Sequence, residues 1–329
     1  MTAPRMINAN ALRSAIGFEN LIEPMAAAFR QSSAGEAQNG LVVMFPDDRI
    51  EDGDVYVKTG VLRGRNVYIV KIAPWFADNA SAGRPQGGFV AVFDSSTGHT
   101  RAILSDEHYL SDIRTAAAGA LAARLFAQPR VDTAAVLGTG VQAELQCLAL
   151  HHERPFRRLL VWGRDSAKAL AVIERLRARL PHITFETAES VEAAVAAADV
   201  LITATLAREP IVQGSWLRPG QLIVAVGADD PTKCELDATA LLRSRVFVDS
   251  RETAVVNGCV RRAVDEGHPL DALVTAEIGD VVSGAVMARL DPNDIVVVKL
   301  VGIGAQDVVT AEIALRRLDE QCANGLQPI

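Results

Sequence analysis

Residues 134–150 read Ala-Ala-Val-Leu-Gly-Thr-Gly-Val-Gln-Ala-Glu-Leu-Gln-Cys-Leu-Ala-Leu. An apolar strand runs into a glycine turn, and the turn opens a helix. The turn spells G-x-G-x-x-A through Gly138, Gly140 and Ala143. In such a unit the first glycine permits the tight turn. The second lets the backbone approach a pyrophosphate, and the small third residue lets helix pack on strand. The helix N-terminus then offers free N–H groups and the positive dipole end to the anion. Thr139, Val141 and Gln142 complete the turn and are expected to contact the same group. The stretch therefore predicts a nicotinamide or flavin dinucleotide site.

Working outward, the next strand, 158–162, runs into Gly163-Arg164-Asp165-Ser166. The residue meeting the adenosine ribose is expected about 20 residues after the turn. An acid there accepts from a ribose 2′-hydroxyl. Here Gly163 leaves room, Arg164 suits a 2′-phosphate bidentately, and Ser166 adds a hydroxyl. NADP(H) is favoured over NAD(H). The alternative is that Arg164 is solvated at a helix start and Asp165 serves the ribose.

Further strands are expected at 133–137, 182–186, 199–204, 221–226, 245–249 and 295–300. Helices between them include 141–151 and 165–179. Such alternation marks a parallel sheet covered on both faces. Strand C-termini line the crevice of this architecture. Thr203, Thr205, Val226 and Gly227 therefore join the cofactor set, with Lys233 and Gly302. Upstream, residues 17–34 show helical spacing. The runs 55–58 and 67–71, then 88–93 and 100–104, flank tight turns and read as antiparallel sheet. Residues 109–127 form an alanine-rich helix, and a last helix covers 305–320. The fold class is α/β: a Rossmann dinucleotide domain over 116–302, plus an α+β antiparallel-sheet domain from 1–115 with 303–329.

The chain has 329 residues, 49% hydrophobic and 22% charged, with net charge −7. That is an ordinary globular composition and argues against a nucleic-acid partner, which needs a basic face. No apolar run reaches the roughly 18–20 residues that span a bilayer. No signal pattern is read at the N-terminus, and a cytoplasmic protein is expected. Cys147, Cys234, Cys259 and Cys322 are scattered, giving neither a disulfide framework nor zinc spacing, so no metal site is expected.

Five segments together resemble the ornithine cyclodeaminase/μ-crystallin family. They are Val67–Lys71, Asp112-Ile113-Arg114-Thr115-Ala116-Ala117-Ala118, Leu137–Ala143, Val226-Gly227-Ala228-Asp229 and Val301–Asp307. The alanine-rich helix and Trp162-Gly163-Arg164-Asp165 look most like its ectoine-utilisation subgroup. The resemblance implies a substrate and dimerisation domain closed by the C-terminal helix, a Rossmann domain, and a homodimer. It also implies hydride transfer between nicotinamide and the α-carbon of a small amino or imino acid.

Three catalytic candidates follow from that resemblance. Lys71 lies at the family's strand lysine, to bind the carboxylate or pass a proton to the imine. Buried among apolar neighbours, a lysine is costly unless it meets a polar cavity. Arg114 matches the family arginine that meets substrate carboxylate or cofactor, with Thr115 beside it for the cofactor. A cation at a helix start opposes the dipole, which makes an anionic ligand more plausible. Asp229 matches the catalytic aspartate of the cyclodeaminases. Adjacent Asp230 competes for that assignment, and either suits a turn before Pro231. Lys58 reads as an edge or surface residue that could also line the pocket.

One departure concerns the loop before the Lys58 strand. Many members carry a carboxylate-clamping arginine where Phe45 stands, and Arg49 follows four residues on. Lys299 resembles the μ-crystallin-like members. These features favour a reductase of a small α-imino acid, such as a cyclic ketimine, over a cyclodeaminase with internally recycled NAD.

Overall fold

The computed structural model describes residues 3–46 and 53–324. The chain divides into two units, Met1–Ala117 with Ile303–Ile329, and Ala118–Gly302.

The first unit is built on six strands: β1 (Arg5–Asn8), β2 (Ala37–Met44), β3 (Gly53–Leu62), β4 (Val67–Phe76), β5 (Phe89–Asp94) and β6 (Thr100–Ser105). Their order is β1-β6-β5-β4-β3-β2. All neighbours are antiparallel except β1, which runs parallel to β6. The β5–β6 turn is closed by Asp94, whose Oδ1 accepts from Ser96 N and Thr97 N. Along β3 the even-numbered residues from Asp54 to Leu62 are buried. That face packs against the C-terminal helix Gly304–Ala323, which buries Val308, Ala311, Ala314 and Leu318.

Two strands lie outside the expectation. β1 is too short to show a period, and β2 alternates weakly because it is the sheet edge. Residues 17–34 do not form one helix. A 3-10 turn, Phe18–Leu21, precedes the helix Ile22–Ser33. Pro24 explains the restart, because a residue without N–H fits only the first helical turn.

The second unit holds eight strands: β7 (Thr133–Leu137), β8 (Arg158–Trp162), β9 (Thr184–Thr187), β10 (Val200–Thr203), β11 (Leu222–Ala225), β12 (Arg245–Val248), β13 (Ala276–Glu277) and β14 (Val296–Lys299). The order is β13-β12-β14-β11-β10-β7-β8-β9, all parallel. Central strands such as β10, β11 and β14 are buried along their whole length, as sheets covered on both faces require. The chain winds from β7 to β8 and β9, then returns to β10 on the other side of β7. That reversal is the switch point where Rossmann sheets bind ligand. The two-residue β13 was not expected, and β9 starts at Thr184 rather than 182. Among the described residues no helix is long and apolar enough to cross a membrane.

Candidate active site

In the second unit β7 ends at Leu137 and the chain turns at Gly138, with φ 128°. A Cβ there would lie 2.2 Å from the Ala204 carbonyl oxygen, so no side chain fits. Gly140 is the N-cap of the helix Val141–Glu153, and no side chain caps that end. The first N–H groups of this helix are therefore available to an anion. The Gln142 side chain accepts from Gln146 Nε2.

At the end of β8, a Cβ on Gly163 would come within 2.5 Å of Thr139 Cγ2. Asp165 is the N-cap of Ser166–Arg179, its Oδ1 accepting from Ala167 N at 2.9 Å and Lys168 N at 3.3 Å. One oxygen of the carboxylate offered as the alternative ribose ligand is thus engaged with its own helix. Arg164 and Ser166 are exposed.

The ends of β10 and β11 meet a residue the sequence reading missed. Glu235 is fully buried and accepts from Thr203 Oγ1, Thr205 N, Thr205 Oγ1 and Gly227 N. Burial pushes its carboxyl up, opposed by those bonds and by Lys299. Thr203 needs correction as a cofactor contact: it is fully buried and spends its hydroxyl on Glu235. Thr205 is only partly buried. A glutamate between Cys234 and Leu236, in an apolar setting, was the available signal. Lys299 is also fully buried, with Nζ 2.8 Å from Leu300 O. Gly302 N and Val301 N both donate to Asp249 Oδ2.

The two aspartates after β11 divide their roles. Asp230 is 1% exposed, and its Oδ1 accepts from Thr232 N, Thr232 Oγ1 and Lys233 N. It is the turn aspartate. The Asp229 side chain is 35% exposed and pairs with Lys233 Nζ at 2.8 Å. Lys233 also pairs with Asp230 at 2.9 Å, so both carboxylates hold this expected cofactor residue.

In the first unit Lys71 projects from β4 into a buried polar cluster. Its Nζ donates to Asp307 Oδ1 at 2.7 Å and Ser111 Oγ at 3.0 Å. Arg114 stands in the second turn of the helix Tyr109–Phe126 rather than at its start, and its Nε lies 3.4 Å from the same Asp307 oxygen. The trio in contact carries a net charge of +1. Among the described residues Arg114 Nε and Asp307 Oδ2 have no hydrogen-bond partner. Burial pushes Asp307 up, but Lys71, Arg114 and Lys58 overcome it and hold the carboxyl below its usual range. Burial lowers Lys71, with Asp307 opposing and Arg114 adding to the fall.

Lys58 is 3% exposed and stands opposite Lys71 in the β3–β4 register. The edge or surface reading is corrected: β2 takes the edge, and Lys58 falls on the face covered by the C-terminal helix. Thr115 returns its hydroxyl to Ser111 O at 2.8 Å. Asp106 anchors the start of the helix Tyr109–Phe126 by accepting from Leu110 N. The two residues between, Glu107 and His108, take left-handed φ of 51° and 71°. Phe45 directly follows β2, and Arg49 lies outside the described residues.

Residues 3–321 match the model of the ornithine cyclodeaminase/mu-crystallin family. An uncharacterized cyclodeaminase of Sinorhizobium fredii is 38% identical over 284 residues, covering 85% of this chain and 84% of that protein. Mouse (Mus musculus) ketimine reductase mu-crystallin is 34% identical, covering 68% of this chain and 67% of that protein. Among solved structures, the Δ1-pyrroline-2-carboxylate reductase of Thermococcus litoralis, in complex with NADH and L-proline, superimposes with a TM-score of 0.89. It is 26% identical, and the match covers 96% of this chain and 98% of that one. The glycine turn, the buried lysine and the doubly wound sheet thus have a common source: this chain belongs to the ornithine cyclodeaminase/mu-crystallin family.

Proposed function

We propose that this chain is an NADP(H)-dependent oxidoreductase that reduces the C=N bond of a small α-imino acid, a cyclic ketimine or a linear imine. The observation that carries the reading is the buried cluster of Lys71, Arg114 and Asp307, net positive and with the Arg114 Nε donor left without a hydrogen-bond acceptor. Such a cluster suits a carboxylate that arrives with the substrate. The named activities of the mouse and Thermococcus relatives agree with it.

The residues of the second unit fit a nicotinamide dinucleotide. The uncapped helix end after Gly140 suits the pyrophosphate, and Thr139, Val141 and Gln142 lie at that turn. Arg164 and Ser166, both exposed at the end of β8, suit a 2′-phosphate. When bound, such a group supplies hydride to the imine carbon. Arg114 neutralises the substrate carboxylate. Lys71 grips that carboxylate or gives a proton to the nitrogen, and Asp229 holds the protonated imine. Thr115, Thr205, Val226, Gly227, Lys233 and Gly302 remain candidates for the cofactor's surroundings.

The protein is further proposed to be a cytoplasmic homodimer. Its four cysteines are free, which suits a reducing compartment. The edge strand β2 exposes Val42 and Met44, at 56% and 43%, as an apolar surface for a second copy. A cyclodeaminase releasing ammonia without net redox change is the second reading, favoured by the name of the Sinorhizobium relative.

A panel of cyclic ketimines, pyruvate with amines, and ornithine, each with NADH and NADPH, tests the proposal. Absorbance at 340 nm and ammonia are read together. Stoichiometric NADPH loss with a ketimine is expected. Ammonia release from ornithine with no change in NAD(P)H overturns the reductase reading.

A further inference from the structure

We propose that Glu235 is a positioning residue for the nicotinamide half of the dinucleotide, an inference that rests on the cofactor reading above. In the doubly wound sheet β8 stands on one side of β7 and receives the adenosine half. β10 and β11 stand on the other side and receive the opposite half. Glu235 belongs to neither strand, yet it ties the ends of both together.

The geometry is saturated. Oε1 accepts from Thr205 N at 2.7 Å and Thr205 Oγ1 at 2.8 Å. Oε2 accepts from Thr203 Oγ1 at 2.7 Å and Gly227 N at 3.0 Å. A carboxylate has about four acceptor sites, and all are filled. Glu235 therefore has no capacity left to bind substrate or move a proton. What it does is fix residues just beyond the ends of β10 and β11.

The tie is itself anchored. Glu235 O accepts from Ile211 N and Val212 N, at 3.0 and 2.9 Å. Glu235 N and Leu236 N donate to Cys259 Sγ, at 3.2 and 3.3 Å. Fully buried Lys299 supplies the compensating charge, with its ammonium on the carbonyls of Leu300 and Ala225. A glutamate held this firmly sets where the Thr205 and Gly227 amides stand before any ligand arrives.

Glu235→Gln separates this role from a purely structural one. The amide nitrogen cannot accept, so either Thr205 N loses its acceptor or Gly227 N is left with only the Thr203 carbonyl at 3.2 Å. The protein is titrated calorimetrically with NADPH and 2′,5′-ADP, and in parallel with NADH and ADP. The expected result is dinucleotide binding weakened about tenfold, the worth of one hydrogen bond that no longer fixes a strand-end amide, with adenine-half binding changed less than about twofold. Thr203→Val removes one donor and leaves the carboxylate in place. It is the second variant should Glu235→Gln fail to fold, and a loss of about threefold in the same selective sense is expected. Equal loss for both probes, or a lowered melting temperature with both affinities intact, overturns the inference alone. Wild-type protein that binds neither dinucleotide overturns the cofactor reading with it.

Discussion

Replacing Asp307 by asparagine removes the carboxylate that Lys71 touches at 2.7 Å and Arg114 at 3.4 Å, while keeping the side-chain shape. The three side chains are no more than 10% exposed, so water cannot take over the lost charge. Breaking a buried pair in this way costs about 3–5 kcal/mol. Lysine has an escape that arginine lacks, because it can shed its proton. Burial already lowers Lys71, and Asp307 is the strongest influence opposing that fall. Without Asp307 the lysine drops further. Below the variant's lowered Lys71 value the native proteins both hold the proton, and the full penalty appears. Above it the variant's native lysine is neutral, while the unfolded chain stays protonated to about pH 10.4. The unfolded state then binds more protons, so the variant's stability rises with pH. The deficit against wild type shrinks until the wild-type lysine also begins to lose its proton. Urea unfolding at about pH 6 and about pH 9 reads this directly. The expected deficit is about 3–5 kcal/mol at the lower pH and smaller at the higher. A deficit below about 1 kcal/mol at the lower pH, or one that does not change with pH, refutes the reasoning.

Lys71→Met should reduce kcat by at least about a hundredfold, the contribution of a positioned proton donor, with NADPH affinity within about twofold. Unchanged kcat removes Lys71 from the chemistry. Arg164→Ala should weaken NADPH about tenfold or more relative to NADH, the worth of a charged hydrogen bond to the 2′-phosphate. Parallel loss for both dinucleotides would return Arg164 to the solvent. The neighbouring aspartates should separate cleanly. Asp230→Asn is expected to destabilise by about 1–3 kcal/mol through its turn bonds, and Asp229→Asn to lower kcat with little change in melting temperature. The reverse pattern would exchange their assignments.

The architecture was legible because its signals are local. The G-x-G-x-x-A turn, the alternation after Thr133 and the hairpins flanking β4 and β5 each declare themselves within a few residues. What escaped depends on partners distant in sequence. Lys71 and Asp307 are 236 positions apart, and nothing near either shows that they touch. The burial of Lys58 required β2, whose edge position blurs its alternation. Thr203 and Thr205 looked alike at one strand end. Only the depth of Glu235 distinguishes the fully buried hydroxyl of the first from the partly buried second. The two aspartates after β11 were equally ambiguous until Asp230 was found closing its own turn.

A protein in need of stability alone gains little from buried carboxylates, since apolar residues of similar volume often serve as well. Asp307 and Glu235 are therefore better understood through what each holds. Glu235 holds backbone amides at two strand ends. Asp307 holds a lysine against the burial that lowers it. The distinction bears on the direction of the proposed reaction. A neutral buried lysine is a base and suits removal of a proton from an amine. A protonated lysine is a donor and suits reduction of an imine, where the nitrogen gains a proton as the carbon gains hydride, and the Asp307 contact at 2.7 Å favours that form. Burial and Arg114 work against that protonation and Asp307 works for it, so removing Asp307 lowers the fraction of enzyme ready to donate. Asp307→Asn should accordingly move the basic limb of the reductive pH–kcat profile to lower pH. A limb that stays in place while stability falls would confine Asp307 to the fold and leave the proton to another group.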